Sequence, residues 1–350
     1  NDRCCRSQVQ HTDQKKSWRQ TVINLHARSR RDYPVEGLCI LFGRTRQAFY
    51  KFNEEVMARR IAGECFAIDF IKEIRTKDHG IGRLKLWYMY QRKFTEEEAL
   101  GRDRFLEVYR RNGFKLRSKA CKPRTTDSTH GLATYANLIR EFIPTGPDQL
   151  WVSDITYIAI YRSEGRYYFC YLTVIMDAYT EEIKGYNVGD SPDTRNSIFA
   201  LEMALQNLEG QHEGANHLIH HSDRGGQYAS SKYTGILTSR GIRISMTESG
   251  DPRENPQAER IHGTIKNEIL RACRFHSIDE AEEAIKKAVD FYNNERPHMS
   301  VGMRTPAEAS KSTGERELRW KSYREHAIKK KLVMNHTENS LPLDIGSSSS

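Results

Sequence analysis

The sequence predicts an α/β fold, in which a mixed β-sheet is flanked by helices and preceded by an all-α region of helix-turn-helix character. Apolar residues follow helical spacing through most of the first 113 residues, and three strand-like runs follow one another directly after residue 150. From there the predicted order is strand, strand, strand, helix, strand, helix, strand, helix. That order suits a mixed sheet with helices packed on its faces.

Two helical blocks are predicted before the sheet. In the first, at 18–60, Val35, Leu38 and Phe42 share an apolar stripe, and Gly43 separates this helix from a basic second one. The second block, at 61–116, has the same helix-turn-helix character. The other predicted boundaries are a basic N-terminal segment at 1–17, a linker at 117–148, an α/β core at 149–310 and a basic, polar, partly disordered tail at 311–350.

Within the core, the first three strands are rich in Ile, Val, Thr and Tyr and are separated by short connections, so we expect an antiparallel meander. The predicted elements are strands at Trp151–Ile160, Arg166–Asp177 and Glu181–Val188, a helix opened by Asp193, a short strand before Asp223, a helix at Ser230–Ser239, a strand at Ile242–Met246 and a helix from Asn255–Pro256.

The charge of the chain points to a polyanion partner. Lys and Arg exceed Asp and Glu by 9, and the pI is about 9.1. A net charge of this size also serves solubility alone, so charge raises the question of nucleic acid without answering it.

Composition also excludes several classes of protein. The longest apolar run, Tyr167–Met176, is about half the length of a membrane-spanning helix, so no membrane segment is predicted. The 7 cysteines include no Cys-x-x-Cys pair, which argues against a disulfide framework and a structural zinc site. Because the first residue is Asn rather than Met, a fragment or a frameshift product remains open.

Three acids are the candidate catalytic residues. Asp154 lies inside an apolar strand, where a carboxylate needs a cation, a partner or solvent. Asp223 follows a strand and precedes a glycine turn, and Glu259 lies early in a helix that Asn255 is expected to cap. Lys266 follows two turns later on nearly the same face as Glu259. Three carboxylates without a Cys or His framework favour Mg²⁺ or Mn²⁺, two ions of which would clamp a phosphodiester.

Each of these residues also has a structural interpretation. A lone Asp in a strand is more often paired than catalytic, and only the combination of the three acids with their flanking residues reverses this for Asp154. Glu248, Asp251 and Glu268 are nearby acids that we interpret as solvated. His221 and His262 are groups that could assist the carboxylates, although a structural role is at least as common for a histidine.

The residues around the three acids resemble those of a known family. Trp151-Val152-Ser153-Asp154-Ile155-Thr156-Tyr157-Ile158, His221-Ser222-Asp223-Arg224-Gly225-Gly226-Gln227-Tyr228 and Asn255-Pro256-Gln257-Ala258-Glu259 are similar to the motifs of insertion-sequence transposases encoded in a second reading frame, which have a retroviral-integrase-like DDE core. The 35 residues between Asp223 and Glu259 match the spacing that gives the family its name. Phe291-Tyr292-Asn293-Asn294-Glu295-Arg296-Pro297-His298 and Thr305-Pro306 resemble its closing motifs.

The resemblance implies an RNase H-like integrase catalytic core and a DNA transposase that cuts at element ends and joins them to target DNA. It implies that Asp154, Asp223 and Glu259 bind the two metal ions and that Lys266 contacts terminal DNA. Further DNA contacts are expected at Asn255, Arg44, Arg46, Gln47, Arg102 and Arg104. The implied partners are DNA, further copies of the chain and an upstream-frame product of the same element, and the implied location is the nucleoid in a bacterial cytoplasm.

Two alternatives remain open. The chain could be an inactive or domesticated derivative that binds element ends without cutting them, and the sequence departs from the family at Glu254-Asn255-Pro256-Gln257 and Tyr179-Thr180-Glu181. A retroviral integrase proper would be expected to carry an N-terminal His/Cys zinc module, and the lack of Cys-x-x-Cys pairs counts against it.

Overall fold

The structure is a computed structural model that describes residues 18–51, 54–95, 98–116, 132–209, 217–248, 255–316, 318 and 322–338. The predicted N-terminal segment 1–17, the linker positions 117–131 and the last residues of the tail, 339–350, lie outside these ranges. So do Asp251 and Glu254, which were discussed above as sequence features.

The described elements alternate as the sequence predicts. The helices are α1 (18–28), α2 (Val35–Leu41), α3 (Arg46–Tyr50), α4 (Glu54–Lys77), α5 (Arg83–Lys93), α6 (Arg102–Arg111), α7 (Thr194–Glu209), α8 (Gly226–Ala229), α9 (Ser231–Ser239), α10 (Pro256–Gly263), α11 (Ile278–Asn294), α12 (Pro306–Ala309) and α13 (Tyr323–Glu338). The strands are β1 (Leu150–Tyr161), β2 (Tyr167–Asp177), β3 (Ile183–Gly189), β4 (Ile219–Ser222) and β5 (Arg243–Met246). A π-helical turn, Thr264–Ile269, continues α10.

The five strands form one mixed sheet in the order β3-β2-β1-β4-β5. Strands β1, β2 and β3 are antiparallel, which confirms the predicted meander, whereas β4 pairs in parallel with both β1 and β5. The predicted α/β class, an RNase H-like mixed sheet flanked by helices and preceded by an all-helical region, is thereby confirmed. Strand β3 begins later than predicted because Glu181 adopts a left-handed turn with φ of 65°.

Each face of the sheet has its own apolar core, as the alternation of β1 requires. The even-numbered residues Val152 and Ile158 pack in one cluster with Ile261 of α10 and with α11. The odd-numbered Trp151 packs in the other, with side chains of α7 and α9. Strand β1 is therefore buried between two helical layers at its start, and this is the end of the strand that leads to Asp154.

The chain divides into two compact units. One contains residues 1–72 and 90–117, and the other contains 73–89 and 118–350. In the first unit, α1, α2 and α3 enclose a small core with Val22, Leu38 and Phe49, and the Thr45 hydroxyl caps α3 by accepting from the Ala48 amide at 3.1 Å. The division falls inside the predicted 61–116 block, so the predicted domain boundaries stay predictions.

The corner between α4 and α5 belongs to the unit that contains the sheet. Arg296, which follows α11, donates to Glu268 Oε1 at 2.7 and 3.1 Å and lies 3.5 Å from Asp78 of this corner. Gly80 approaches so closely that a Cβ there would lie 2.6 Å from the Cα of Glu268. The corner thus packs directly on the π-helical turn that follows α10.

The tail differs in part from the expected disorder, because residues 323–338 form helix α13. Ile328 is buried, and Glu325 pairs with Arg316, which also donates to the Ala178 carbonyl at 2.8 Å. The high Lys and Arg content of the segment gave no sign of this helix. Among the described helices, none is both long and apolar enough to cross a membrane.

Candidate active site

Asp154 lies on β1 where that strand loses one of its neighbours. The parallel pairing of β1 with β4 ends at Val152 and His221, two residues before Asp154 and Asp223 respectively. Because the two strands run in the same direction, both acids leave the same end of the ladder. About 24% of the Asp154 side chain is exposed, and its Oδ1 accepts from the Ile155 amide at 2.9 Å.

Asp223 is held by a tight turn directly after β4. Its Oδ1 accepts from the Gly225 amide at 2.9 Å. A Cβ at Gly225 would lie 2.9 Å from that same oxygen and 2.4 Å from the side-chain Nε2 of Gln227, so a side chain at residue 225 would displace the carboxylate. The glycine turn of the sequence motif therefore has a steric reason next to the acid.

Glu259 lies in the first turn of α10, on the exposed side of a helix whose Ala258 and Ile261 are buried. Asn255 does occupy the N-cap position, but its side chain makes no cap bond, contrary to the prediction. It donates instead to the Ser153 carbonyl at 3.1 Å, because β1 passes directly beside the helix start. Asn255 thus ties the helix of Glu259 to the residue before Asp154.

The three acids act on one another electrostatically. Desolvation by the surrounding protein, with smaller contributions from the charges of Asp223 and Glu259, raises the pKa of the Asp154 carboxyl to about 7, and the Ile155 amide opposes the shift. Burial, Tyr233 and the charges of Asp154 and Asp223 also hold the pKa of Tyr228 well above its ordinary value. The structure therefore brings the three predicted acids into one field of like charge.

Of the two histidines singled out in the sequence, His262 contacts an acid of the site. Its Nε2 lies 3.5 Å from Asp154 Oδ2. Burial, assisted by the charge of Lys266, lowers the pKa of His262 to about 3, so the ring is neutral at physiological pH. His221 lies within the sheet, where its Nδ1 is 2.9 Å from the Ser245 hydroxyl on β5.

Lys266 reaches the sheet from the π-helical turn. Its ammonium donates to the Thr156 hydroxyl at 3.0 Å and lies 4.2 Å from the centre of the Tyr157 ring. The turn is π-helical because the Leu270 amide donates to the Ile265 carbonyl, five residues back. Lys266 therefore lies beside β1, just past Asp154, rather than on a regular α-helical stripe with Glu259.

Buried hydroxyl groups form hydrogen bonds next to Asp154, inside the protein. The Ser153 hydroxyl donates to the Tyr228 hydroxyl at 2.9 Å, and the Tyr233 hydroxyl is 3.0 Å from His220 Nε2. Tyr228 was quoted as the end of the Asp223 motif, but no role was predicted for it. Its position in that motif is the one signal that the sequence offered.

The donor set fits hard divalent cations in kind, since it consists of carboxylate oxygens whose mutual repulsion such an ion relieves. The Oδ1 of Asn255, at the start of the helix that carries Glu259, is buried and has no hydrogen-bond partner among the described residues. Within the described ranges, however, no three His, Cys, Asp or Glu side chains stand ready to hold one ion. Binding of an ion by all three acids therefore requires side-chain movement.

The predicted DNA-contact residues of the helical region have different surroundings. Arg44, Arg46 and Gln47 are exposed at the start of α3, and Arg46 lies 5.7 Å from the centre of the Tyr50 ring. Arg102 is exposed beside Asp103 at 3.2 Å. Arg104 forms ion pairs within the helical unit.

The guanidinium of Arg104 pairs with the buried Glu64 and with Glu107 at 2.6 Å. Arg111 pairs with the same Glu64 carboxylate. A carboxylate that is nearly sealed from solvent needs these cations, so the structure gives Arg104 a role inside the helical unit. Arg104 as a DNA contact stays a prediction, for a guanidinium that two carboxylates already bind.

Two family models match the chain, both described as Integrase core domain, over residues 144–252 and 240–306. Among curated relatives, the Insertion element IS600 uncharacterized 31 kDa protein of Shigella sonnei is 35% identical over 276 residues, which are 77% of this chain and 96% of the relative. The transposase for insertion sequence element IS629 of Shigella sonnei is 36% identical over 56% of this chain and 62% of its own length. A protein of insertion sequence element IS986/IS6110 from Mycobacterium tuberculosis is 31% identical over 69% of this chain and 85% of its own length.

Solved structures show a weaker similarity. The simian T-cell lymphotropic virus intasome in complex with the PP2A regulatory subunit B56 gamma matches with a TM-score of 0.39 and 16% identity, over 64% of this chain and 72% of the other. The HTLV-2 integrase catalytic core domain in complex with magnesium matches with a TM-score of 0.34 and 19% identity, over 47% of this chain and 97% of the other. The strand order of this chain, rather than these scores, carries the assignment of the fold.

Proposed function

This chain belongs to the insertion-sequence transposases with an integrase core domain, and we propose that it cleaves DNA at the ends of its element and joins those ends to target DNA. The proposed catalytic residues are Asp154, Asp223 and Glu259. The observation that supports them is the raised pKa of Asp154, which the charges of the other two acids help to produce. Side chains from β1, the end of β4 and α10 therefore share one electrostatic field, although up to 105 residues separate them in sequence.

The proposed cofactor is Mg²⁺ or Mn²⁺, with Asp154, Asp223 and Glu259 as ligands. Two such ions, when bound, would polarise the phosphodiester and activate the attacking hydroxyl or water. The acids themselves contribute position. Asp154 is fixed by the Ile155 amide, Asp223 by the Gly225 amide, and α10 by the bond from Asn255 to β1.

Two further side chains complete the proposed site. The ring of His262 contacts Asp154 but is neutral, so it does not form an ion pair with the carboxylate, and the negative charge of Asp154 can still attract cations. The ammonium of Lys266 lies beside β1, where it can pair with a phosphate of the terminal DNA. Both side chains are placed by the same helix and turn that carry Glu259.

DNA and further copies of the chain are the proposed partners. In the helical unit, Arg46 and Gln47 are exposed on α3, and Arg44 is exposed just before it; all three are proposed to contact DNA, as is Arg102. Joining two element ends requires two active sites, which is the reason for proposing a homo-oligomer on DNA. An upstream-frame partner and the cytoplasmic location stay predictions.

The test is a strand-transfer assay with purified protein and labelled DNA from both ends of the encoding element, in Mg²⁺, in Mn²⁺ and in chelator. We expect metal-dependent cleavage and joining by the native chain. The variants Asp154→Asn, Asp223→Asn and Glu259→Gln should bind the DNA but lose joining. Glu248→Gln is the matched control, because Glu248 is an exposed acid of the same unit that pairs with Arg140.

Retained joining in any of the three variants would remove that residue from the site. Binding without joining by the native chain, beside a transposase that is active in the same assay, would instead favour the inactive or domesticated derivative. If Glu248→Gln also lost joining, the loss in the three variants would reflect general disruption of the protein and not the removal of a metal ligand.

A further inference from the structure

We propose that an aromatic strip on the β1–β2 hairpin binds unpaired bases of the DNA end that enters the active site. The strip consists of Tyr157, Tyr161, Tyr167 and Phe169. The ligand is single-stranded DNA, opened over a few nucleotides next to the phosphodiester that reacts. This inference rests on the proposed function, because it takes DNA as the substrate of the site at Asp154.

The four rings lie on one face of the hairpin. In the antiparallel register Tyr161 pairs with Tyr167, Ala159 pairs with Phe169, and Tyr157 lies two residues before Ala159, so all four side chains point to the same side. The opposite side of the hairpin is core, with Ile158, Ile160 and Cys170 buried. The strip is therefore the outer face of a hairpin whose inner face packs on the protein.

The strip is continuous and reaches solvent. Successive ring centres are 4.8 Å apart from Tyr157 to Phe169, 5.4 Å from Phe169 to Tyr167 and 6.3 Å from Tyr167 to Tyr161. Tyr157 is 39% exposed and Tyr167 is 59% exposed. Tyr161 and Phe169 are half-buried. The solvated face of an antiparallel sheet is ordinarily polar, so a continuous row of rings that reaches solvent indicates a binding surface.

Cations border the strip. The ammonium of Lys266 lies 4.2 Å from the centre of the Tyr157 ring, and the guanidinium of Arg274 lies 5.4 Å from that of Tyr161. Rings flanked by basic side chains match single-stranded nucleic acid, whose bases stack on aromatic faces while its phosphates pair with the cations. If the strip bound an apolar protein surface instead, that surface would offer no negative groups to pair with these two cations.

The strip begins near Asp154, on the other face of β1. Tyr157 follows Asp154 by three residues, about 10 Å at the rise of a β-strand, so the two side chains point to opposite faces. The pairing of β1 with β4 ends at Val152, and Lys266 bonds to Thr156 on the Asp154 face while it lies over the Tyr157 ring on the other face. Tyr161 lies about 23 Å from Asp154 by the same measure. A DNA strand with its reacting phosphodiester at Asp154 would cross the edge of β1 beside Lys266 to place its next bases along the strip.

Lys266 gives the strip a way to respond to DNA. In the structure its ammonium lies over the ring of Tyr157 and bonds to Thr156. A phosphate is a stronger partner for an ammonium than the face of a ring, so an arriving strand would draw Lys266 away. The exposed face of Tyr157 would then be open to a base.

The experiment measures binding of the full chain, without added metal, to two DNA duplexes of the same arbitrary sequence. One is fully paired, and the other has a mismatched end that carries 2-aminopurine in the unpaired stretch. We expect the native chain to prefer the forked duplex by about tenfold and to quench the 2-aminopurine fluorescence by stacking. Tyr157→Ala should lose the preference and the quenching, whereas Tyr157→Phe should keep both.

Two more variants make the result independent of one substitution. Tyr167→Ala tests the strip at its most exposed ring and should lower the fork preference even if Tyr157→Ala is unstable. Tyr323→Ala is the matched control, because Tyr323 is 79% exposed on α13 and lies outside the strip. We expect it to bind both duplexes as the native chain does.

Equal binding of the two duplexes by the native chain would overturn the proposal, as would an unchanged fork preference in folded Tyr157→Ala and Tyr167→Ala. A changed oligomeric state in these variants, with the fork preference intact, would assign the strip to a contact between copies and overturn it as well. The readout needs neither metal nor joining. If the native chain joins DNA but shows no fork preference, the strip proposal alone is refuted. If it shows a fork preference that the strip variants abolish but never joins DNA, the proposed function alone is refuted.

Discussion

Replacing Arg296 should destabilise the catalytic unit more than any surface substitution. Its side chain is 3% exposed, and its guanidinium donates to Glu268 Oε1 at 2.7 and 3.1 Å. The same guanidinium lies 3.5 Å from Asp78 Oδ2, and the Asp78 side chain is fully buried. Arg296→Met keeps most of the apolar volume but leaves both carboxylates without their main cation.

Removing one partner of a buried ion pair destabilises a protein by about 3–5 kcal/mol. Two features place the expected loss near the lower end, at about 3 kcal/mol. Burial, and next the charge of Glu268, already raise the pKa of Asp78 to about 7, so Asp78 can take up a proton when Arg296 is lost. Lys85, 3.5 Å from Glu268, remains as a second cation.

The assay is denaturant unfolding of the full chain at neutral pH, with the free energy of unfolding taken by linear extrapolation. The matched control is Lys77→Met, which breaks the neighbouring pair of Lys77 and Glu295. That pair is 2.7 Å long, but its side chains are 43% and 39% exposed, so we expect a loss of about 0–1 kcal/mol. If Arg296→Met unfolds within about 1 kcal/mol of the native chain, the reasoning from a buried charge network is refuted.

Two further predictions concern Asp78 and the turn that holds Asp223. The folded-state pKa of Asp78, about 7, lies above its ordinary value of 3.8. Between these two pH values the folded chain holds a proton on Asp78 that the unfolded chain has lost, so the free energy of unfolding falls as the pH rises from 3.8 to about 7. Asp78→Asn should flatten this dependence in unfolding curves collected across the same pH range, and an unchanged profile would contradict the assignment. Gly225→Ala should lower joining by about a hundredfold with little change in thermal stability, because its Cβ would lie 2.9 Å from Asp223 Oδ1. Gly235→Ala, which meets no atom within 4 Å, should join DNA normally, and equal activity of the two variants would show that the turn does not position Asp223.

The parts of the site that the sequence predicts are those with a local signature. Asp154 within a β-branched run, Asp223 between a strand and a glycine turn, and Asn255-Pro256 at a helix start each depend on neighbours in the chain. The structure places all three elements as expected. Their residue roles stay predictions until the variants are assayed.

What the sequence did not predict depends on partners that are distant in the chain. Asn255 was expected to cap its own helix, but β1 offers the Ser153 carbonyl, and no local pattern announces that neighbour. The π-helical turn that carries Lys266 was likewise predicted as regular helix, because the apolar spacing of Ile261, Ile265 and Ile269 is the same in both cases. All three are buried.

The corner between α4 and α5 was assigned to the helical block because its apolar residues follow helical spacing. It belongs instead to the unit that contains the sheet, and its contacts there include the ion pair of Asp78 with Arg296. One buried Asp and one buried Arg have no periodicity that a sequence pattern could detect. Only the folded chain shows that they meet.

This pairing sets an order of events during synthesis of the chain. The neighbouring contact of Lys77 with Glu295 spans 218 residues, which a ribosome adds in about 10 to 40 s. Throughout that time the α4–α5 corner has left the ribosome while its partners do not yet exist, and Asp78 remains hydrated and charged. A chain that terminates just before Arg296 would contain Asp154, Asp223 and Glu259 but not the main cation of Asp78. Such a product could bury Asp78 only by protonating it, so its three acids would lie on a less stable unit.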